Sequence, residues 1–188
     1  MKRILLGIAV TALLLVPVAL ADDPGGSTVS AACKALQKTA PDMFGQGKTY
    51  RNLGACVSAK SKQAGQNATN AAKACKAEQA DANFATGHGG KSFKDFYGTS
   101  GGNGEDKGNG NAFGKCVSSK AGKATAEQES SELNSAKQCK TERADSSFAA
   151  SHGGKSFGDF YGTNANKKNA FGKCVSTKAK AKTKTESS

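Results

Sequence analysis

The chain has no tryptophan, only three prolines and few large aliphatic side chains. Beyond residue 21 it holds four valines, three leucines, nine phenylalanines and no isoleucine, which is about a tenth of the positions. Composition this poor in core-forming residues excludes a large hydrophobic core and is typical of disordered chains. A stable fold therefore needs a source of stability besides apolar burial.

The N-terminal segment has the order of charged, apolar and small residues of a secretory signal. Lys2 and Arg3 precede an apolar run over residues 4–20, which ends Ala-Leu-Ala before Asp22. This order predicts a signal peptide over residues 1–21 that is removed on export. An uncleaved membrane anchor is the alternative, because the run is at the short edge of what spans a bilayer. No later stretch is apolar enough to cross a membrane, so we expect a secreted, extracellular or cell-wall protein.

The chain is strongly basic. It carries 27 basic and 15 acidic side chains, a formal net charge of +12, and loss of Lys2 and Arg3 would leave about +10. Such a balance favours anionic surfaces through long-range attraction, so anionic cell-wall polymer or an acidic protein are the expected partners. Nucleic acid is not an expected partner, because no known nucleic-acid motif or obvious aromatic-basic pattern is present. The sequence leaves the oligomeric state open.

One unit recurs along the chain. Residues 71–99 and 135–163 share the phrases HGGKSF and DFYGT at identical spacing, and each is followed by a closing phrase, NAFGKCVSSKA or NAFGKCVSTKA. A shorter first unit has CK and GACVSAK but neither of the two shared phrases. Terminal units of repeat arrays are commonly divergent. We therefore predict a divergent first repeat (22–62), a second repeat (63–123) with a Gly-rich insertion (99–111), a third repeat (124–180) and a disordered basic tail (181–188).

Six cysteines in an exported chain predict disulfides that substitute for a core. The segments 56–75 and 116–139 contain no proline and are rich in Ala, Lys, Gln and Glu, which predicts continuous helices. Cysteines at the two ends of such a helix are roughly 30 Å apart, whereas a disulfide requires Cα atoms within about 7 Å. Pairing within each repeat remains, and it predicts the bridges Cys33–Cys56, Cys75–Cys116 and Cys139–Cys174. The predicted fold class is all-α, with tandem disulfide-stapled helical hairpins joined by long helices and with Gly-rich loops.

Shorter signals predict where the helices begin and end. Asn111 and Asn169 stand at the N-cap positions of the closing helices. Ser92-x-x-Asp95 and Ser156-x-x-Asp159 have the spacing of capping boxes, and a left-handed glycine is expected to end each short helix, at Gly98 and Gly162. Because little else is present to fill a core, the aromatic side chains are expected to form it in each repeat: Phe93, Phe96, Tyr97 and Phe113 in the second.

The phrase NAFGKCVSSKAGK, and CK followed after a helix-length gap by an FYGT turn, resembles a group of small exported bacterial proteins, chiefly from high-GC Gram-positive organisms. In that group such units occur singly or in tandem. The resemblance covers the second and third repeats fully and the first in part. The group has no established activity, so the resemblance implies location and architecture and carries over no catalytic residue.

The repeated GKS phrase invites comparison with a phosphate-binding loop. That motif requires a glycine five residues before the GKS glycine, where this chain has Ala85 and Ala149, and it requires a preceding strand. Nucleotide hydrolysis is therefore not expected. A weaker possibility is anion contact at the Gly-Gly turn and the start of the short helix, through Lys91 and Ser92 and through Lys155 and Ser156. The alternative is a glycine turn that only reverses the chain.

No enzyme site or cofactor site can be assembled from the sequence. His88 and His152 each lack another ligand nearby, so no metal or other cofactor is predicted, and solvent-exposed loop histidines are the expected arrangement. A disulfide sulfur is no thiolate nucleophile. We therefore expect a non-enzymatic binding or structural protein of the cell envelope or secreted milieu. The alternative is a secreted inhibitor or effector that presents a loop, such as 99–111, to one protein target.

Overall fold

The computed structural model describes residues 26–98 and 111–185, so the predicted signal peptide and residues 99–110 of the insertion lie outside the described residues. The described chain is helical and contains no strand, only one isolated bridge between Phe44 and Tyr50. A 3₁₀ turn follows the first helix at Pro41–Met43. The helices are α1 (Gly26–Thr39), α2 (Leu53–Ala80), α3 (Phe84–Gly87), α4 (Phe93–Tyr97), α5 (Ala112–Ala144), α6 (Phe148–Ser151), α7 (Phe157–Tyr161) and α8 (Ala170–Thr185).

The two continuous helices and the three bridges are as predicted. Helix α2 spans both Cys56 and Cys75, and α5 spans both Cys116 and Cys139. The disulfides join Cys33 to Cys56, Cys75 to Cys116, and Cys139 to Cys174, each with Cα atoms 6.0 Å apart. The all-α fold stapled by disulfides is thereby confirmed.

The long helices pack as an antiparallel bundle with α5 in the middle. The end of α2 is bonded to the start of α5 through Cys75 and Cys116, whereas Lys60 near the start of α2 contacts Glu132 far along α5. Helix α8 runs back along the other side of α5, and α1 packs against both α2 and α5. The first and third repeats therefore share one end of the bundle, and the second repeat forms the opposite end.

The buried apolar residues divide between these two ends. One cluster joins the first and third repeats and includes Leu36 and Met43 from the first and Phe157, Phe171 and Val175 from the third. A smaller cluster belongs to the second repeat alone: Cys75, Phe84, Phe93, Ala112 and Cys116, with Tyr97 and Val117 packed against it. A disulfide lies within each cluster, so cross-links stabilise regions that bury little apolar area.

Between the two clusters, polar side chains join α2 to α5. Asn67 is buried, and its amide nitrogen donates to Thr125 Oγ1 at 3.0 Å and to Gln128 Oε1 at 2.9 Å. On the other side of α5, Ser131 donates to the Ala179 carbonyl at 3.2 Å. A buried polar group is tolerated where it is hydrogen-bonded, so these contacts hold helices together where the sequence supplies no apolar stripe.

The helix starts fall where they were predicted, but the asparagines act differently from expectation. The side chains of Ser92 and Ser156 cap α4 and α7 by accepting from the backbone N–H of Asp95 and Asp159, as predicted. Asn111 precedes α5 without a capping hydrogen bond from its side chain. Asn169 accepts from the backbone N–H of Thr163 at 3.1 Å. Its side chain therefore closes the preceding loop.

The left-handed glycines predicted at Gly98 and Gly162 are wrong. Their φ angles are −68° and −76°, in the extended region. At Gly162 the reason for glycine is steric, because a Cβ there would lie 2.5 Å from the Gly158 carbonyl oxygen and 2.9 Å from Lys167 Cδ. The glycine is required for close approach of the chain and not for its backbone angle.

The disordered tail predicted over residues 181–188 is also wrong for its first part. Helix α8 continues through Thr185, and the last three residues lie outside the described part of the chain. The alternating Lys and Ala or Thr residues suit a helix, since alanine and lysine both have high helix propensity.

A carboxyl group in the bundle gives a pH prediction. Glu129 is half-buried on α5, and its Oε1 is buried with no hydrogen-bond partner among the described residues. Burial raises the pKa of Glu129; Lys60 opposes this shift and Glu132 adds to it. Because the folded state binds this proton more tightly than the unfolded state, stability falls as the pH rises from the ordinary carboxyl range through the raised pKa.

We therefore expect Glu129→Gln to raise the free energy of unfolding at pH 7 by roughly 0.5–1 kcal/mol. The gain should disappear near pH 3, where the wild-type carboxyl is also neutral. Urea unfolding at the two pH values measures this, with Glu127→Gln as the control because Glu127 is exposed on the same helix. A Glu129→Gln protein less stable than wild type at pH 7 would contradict the expectation.

Candidate functional site

The two HGGKSF segments form identical glycine turns. Gly89 and Gly90 have φ of +64° and +79°, and Gly153 and Gly154 have +64° and +78°. These left-handed angles favour glycine strongly. The backbone N–H of Gly90 donates to the Ala85 carbonyl at 2.8 Å. The turn reverses the chain between α3 and α4, and likewise between α6 and α7.

Each histidine belongs to an aromatic cluster, so the expectation of solvent-exposed loop histidines is wrong. His88 is half-buried and stacks on Phe84 with ring centroids 3.8 Å apart. Its Nδ1 lies 2.8 Å from the Phe84 carbonyl oxygen, and Phe96 meets its ring edge-on at 4.5 Å. His152 repeats the arrangement, at 3.8 Å from Phe148. The imidazole completes the small core because so few apolar side chains are present.

The aromatic core is therefore built from partly different residues than predicted. Phe93 is buried as expected, and Phe84, which the prediction left out, is buried beside it. Phe96 and Phe113 are 45% and 39% exposed, so neither is a core residue. The signal for Phe84 was the repeated phenylalanine four residues before each histidine, since residues at i and i+4 of a helical turn meet on one face.

The predicted anion contacts lie at the surface with several donors already used. Lys91, Ser92, Lys155 and Ser156 are all exposed. The Ser92 hydroxyl donates to Asp95 Oδ2 at 2.5 Å, and Ser156 donates to Asp159 Oδ2 at 2.6 Å. A carboxylate beside each serine repels an anion, so the lysines are the donors left for one. Anion contact at these turns stays a prediction that rests on Lys91 and Lys155.

A lysine, a glutamate and a tyrosine meet beside each disulfide, a grouping that sequence reasoning missed. In the second repeat, Tyr97 donates to Glu78 Oε2 at 2.9 Å and Lys120 lies 2.8 Å from Glu78 Oε1. In the third, Tyr161 donates to Glu142 at 3.0 Å and Lys178 lies 2.6 Å from the same carboxylate. The glutamate of each grouping lies close to the disulfide, with Glu78 Oε2 3.9 Å from Cys116 Sγ and Glu142 Oε2 3.8 Å from Cys174 Sγ.

The first repeat has the same grouping, but its carboxylate comes from α5 and not from the first repeat itself. Tyr50 donates to Glu132 Oε1 at 3.0 Å, and Lys60 pairs with Glu132 Oε2. Glu132 lies on α5, because the first repeat has Leu36 where the other repeats have their glutamate three residues after the opening cysteine. The available signal was the lysine four residues after every closing cysteine: Lys60, Lys120 and Lys178.

The electrostatics of these groupings indicate a structural role. Burial alone would raise the pKa of Glu78, but hydrogen bonds from Lys120 and Tyr97 bring it below its ordinary value. Burial and the bond to Glu142 raise the pKa of Tyr161 to about 12. Glu78 is thus ionised and Tyr161 is protonated near neutral pH. Neither of these two groups is poised to exchange a proton at that pH.

Exposed lysines cover the outward faces of the long helices. On α2, Lys62, Lys73 and Lys76 lie on one face, and Lys115, Lys137 and Lys140 are exposed on α5. The lysines that flank the structural cysteines are all exposed: Lys76, Lys115, Lys140 and Lys173. Near the end of α1, a shallow groove against α5 brings Thr39 together with Lys137 and Lys140. The surface offers positive charge over a large area.

Several acidic side chains make contacts within the protein. Glu78, Glu132 and Glu142 serve the lysine-glutamate-tyrosine groupings. Asp42 pairs with Arg143 at 2.8 Å, and this hydrogen bond lowers the pKa of the Asp42 carboxyl. At the starts of the short helices, the carboxylates of Asp95 and Asp159 accept hydrogen bonds from the hydroxyls of Ser92 and Ser156. Nearby lysines or arginines therefore neutralise four carboxylates, those of Asp42, Glu78, Glu132 and Glu142, whereas many other lysines face solvent.

Other features of the described residues bear on location and chemistry. No helix in residues 26–98 and 111–185 is long and apolar enough to cross a membrane. Within the same ranges, no group of three or more His, Cys, Asp or Glu side chains is placed to hold a metal ion. The three disulfides fit an oxidising environment such as the extracellular space. Comparisons with protein-family models, with curated proteins and with solved structures found no match to this chain.

Proposed function

We propose that the protein is a secreted or cell-envelope-associated binding protein that contacts anionic polymers through distributed lysines and catalyses no reaction. The observation that carries the proposal is the division of charge. Glu78, Glu132 and Glu142 are used in ion pairs within the protein, while exposed lysines occupy the outward faces of α2 and α5. A surface of this kind attracts polyanions over long range.

The rigid bundle suits this role because it holds the charges apart. Lysines on α2 and α5 are fixed on helices that disulfides and buried hydrogen bonds hold in place. A linear polyanion has regularly spaced charges, so several separate lysines contact it at once. Each exposed contact is weak, but their sum gives measurable affinity that salt reduces.

Two matched lysine pairs test whether the charge acts as a whole. Lys137 and Lys140 line the groove beside α1, and Lys73 and Lys76 occupy the corresponding positions of the second repeat. We expect Lys137→Gln/Lys140→Gln and Lys73→Gln/Lys76→Gln to weaken binding to a sulfated or phosphorylated polymer by similar factors, roughly five-fold for each lysine.

The control for this comparison is the neutral pair Gln63→Ala/Gln66→Ala, exposed on α2, which should leave the affinity unchanged. Affinity is measured by titration of the oxidised protein at low salt. Loss of all binding in the groove pair, with no change in the second-repeat pair, would contradict distributed binding and would locate a single site at the groove.

A further inference from the structure

The closing helices of the second and third repeats begin with the same residues but have different surroundings. On α8, Phe171 and Val175 are 4% and 0% exposed. On α5, the corresponding Phe113 is 39% exposed and Val117 is half-buried. One side of the same helical segment is thus covered in the third repeat and open in the second.

The difference does not come from packing within the repeats. The ring centroids of Phe84 and Phe93 are 5.5 Å apart, as are those of Phe148 and Phe157. The tyrosine-glutamate hydrogen bonds also agree, at 2.9 and 3.0 Å. The two repeats have the same interior, so the exposure of Phe113 reflects a missing neighbour.

In the third repeat that neighbour is the first repeat. The 3₁₀ turn at Pro41–Met43 packs against α8. A Cβ on Gly172 would lie 1.7 Å from Thr49 Oγ1, so Thr49 rests directly on the helix beside Phe171. Arg143 lies 4.9 Å from the centre of the Phe171 ring and bonds to Asp42. The first repeat thus supplies apolar and steric contacts to this side of α8, and its Asp42 bonds to the α5 arginine that lies over Phe171.

Within residues 26–98 and 111–185, no further segment gives the second repeat the same cover. The first repeat is already packed on the third. Residues 99–110, which adjoin Phe113 in sequence, include no apolar side chain. The first and third repeats thus pack on each other, and the second has no such partner among the described residues.

We propose that the open face of the second repeat, formed by Phe113, Gly114 and Val117 of α5, binds the same face of a second copy of this chain. The pairing of the first and third repeats within the chain would then be matched by pairing of second repeats between chains. A two-fold dimer places the same patch on both partners, which is the commonest arrangement of homo-oligomers.

One residue differs between the second and third repeats in a way that bears on the partner. The difference favours a second copy of this chain over a protein that resembles the first repeat. The third repeat has Arg143, whose charge is met by Asp42 of the first. The second repeat has the neutral Gln79 at this position. Near a two-fold axis a residue faces its own copy, where an arginine would repel itself and a glutamine would not. Without the arginine, the face also lacks a partner for an acidic side chain like Asp42.

The interface is small and the chain is basic, so the dimer is transient. Net positive charge on both partners opposes association, and salt screens this repulsion. Dimer formation therefore strengthens with salt, whereas polyanion binding weakens with it. Because added salt changes dimer formation and polyanion binding in opposite directions, the two proposals are tested independently of each other.

Sedimentation of the oxidised full chain, at protein concentrations up to about 1 mM, tests the proposal at low and at moderate salt. We expect a monomer–dimer equilibrium that shifts toward dimer at moderate salt, and at least a roughly ten-fold weaker dimer for Phe113→Ser. Phe96→Ser is the matched control, because Phe96 is similarly exposed in the same repeat but lies outside this face. Its dimer should be as strong as that of the wild type.

A second variant, Val117→Lys, places like charges on the proposed face and should also weaken the dimer. Circular dichroism of the oxidised variants checks that each is folded. A wild-type chain that stays monomeric at the highest concentration in both salts would overturn the proposal. A dimer that Phe96→Ser abolishes and Phe113→Ser leaves intact would overturn it as well.

Discussion

Reduction of all three disulfides is expected to unfold the protein at room temperature. The bridges close segments with sequence separations of 23, 41 and 35 residues, and in the loop-entropy model each contributes about 3–4 kcal/mol. Small domains have a total stability of about 5–15 kcal/mol. Because the apolar clusters are small, loss of the bridges leaves too little stabilising free energy to hold the helices together. Far-ultraviolet circular dichroism with and without reductant measures the change.

The bridges can also be removed one at a time. We expect Cys75→Ala/Cys116→Ala to loosen only the second-repeat end, because its small cluster surrounds that bridge alone. Hydrogen exchange should then accelerate at the end of α2 and the start of α5, while the cluster shared by the first and third repeats keeps its protection. Unchanged helix content and thermal stability after full reduction would contradict the dependence on cross-links.

Removal of the Lys60 charge is expected to be the most damaging single substitution of a polar residue. Lys60 and Glu132 have side chains only 7% and 16% exposed, and they form an ion pair. Lys60→Met leaves the Glu132 carboxylate buried with only the Tyr50 hydroxyl as a donor. Breaking one partner of a buried pair costs about 3–5 kcal/mol. The free energy of unfolding from urea titration gives the loss.

Lys62→Met is the control, since Lys62 is an exposed lysine on the same helix and should change stability by less than about 0.5 kcal/mol. The double variant Lys60→Met/Glu132→Leu should recover much of the stability, because two apolar side chains replace the pair without an unpaired charge. Equal unfolding energies for Lys60→Met and Lys62→Met would show that the pair is not buried in solution.

The long helices and the disulfides could be predicted because their signals are local or follow from simple geometry. Absence of proline over 56–75 and 116–139 indicated the helices, and the length of a helix then excluded bridges between its own cysteines. The signal for helix capping by Ser92 and Ser156 was equally local, since it depends on an aspartate three residues later. These features depend on a few neighbouring residues, so one sequence is sufficient to identify them.

The contacts between repeats could not be predicted in this way. Glu132 completes the grouping of the first repeat from more than 70 residues along the chain, and nothing near Tyr50 in sequence indicates it. The burial of Phe171 and the exposure of Phe113 also follow from which repeats pack together, since the local sequences are nearly identical. Long-range pairing of similar units leaves little trace in a single sequence.

The predictions for the histidines and for the glycines after the short helices were wrong because each residue was given the role that is most common for its type. A loop histidine is usually hydrated, but here the imidazole replaces an apolar side chain in a core with too few of them. A glycine after a helix is often left-handed, yet Gly162 is needed for the close approach of Lys167. In both cases tertiary packing overrides the local preference.

The salt dependence of polymer binding tests the central functional claim most directly. The affinity of the oxidised protein is measured for three chemically different polyanions, a phosphate polymer of the cell-wall type, a sulfated polysaccharide and DNA, over a series of salt concentrations. If distributed lysines carry the binding, the logarithm of the affinity falls with the logarithm of salt by similar slopes for all three. Binding to one polymer that survives high salt while the others are lost, or no binding to any at low salt, would contradict the account.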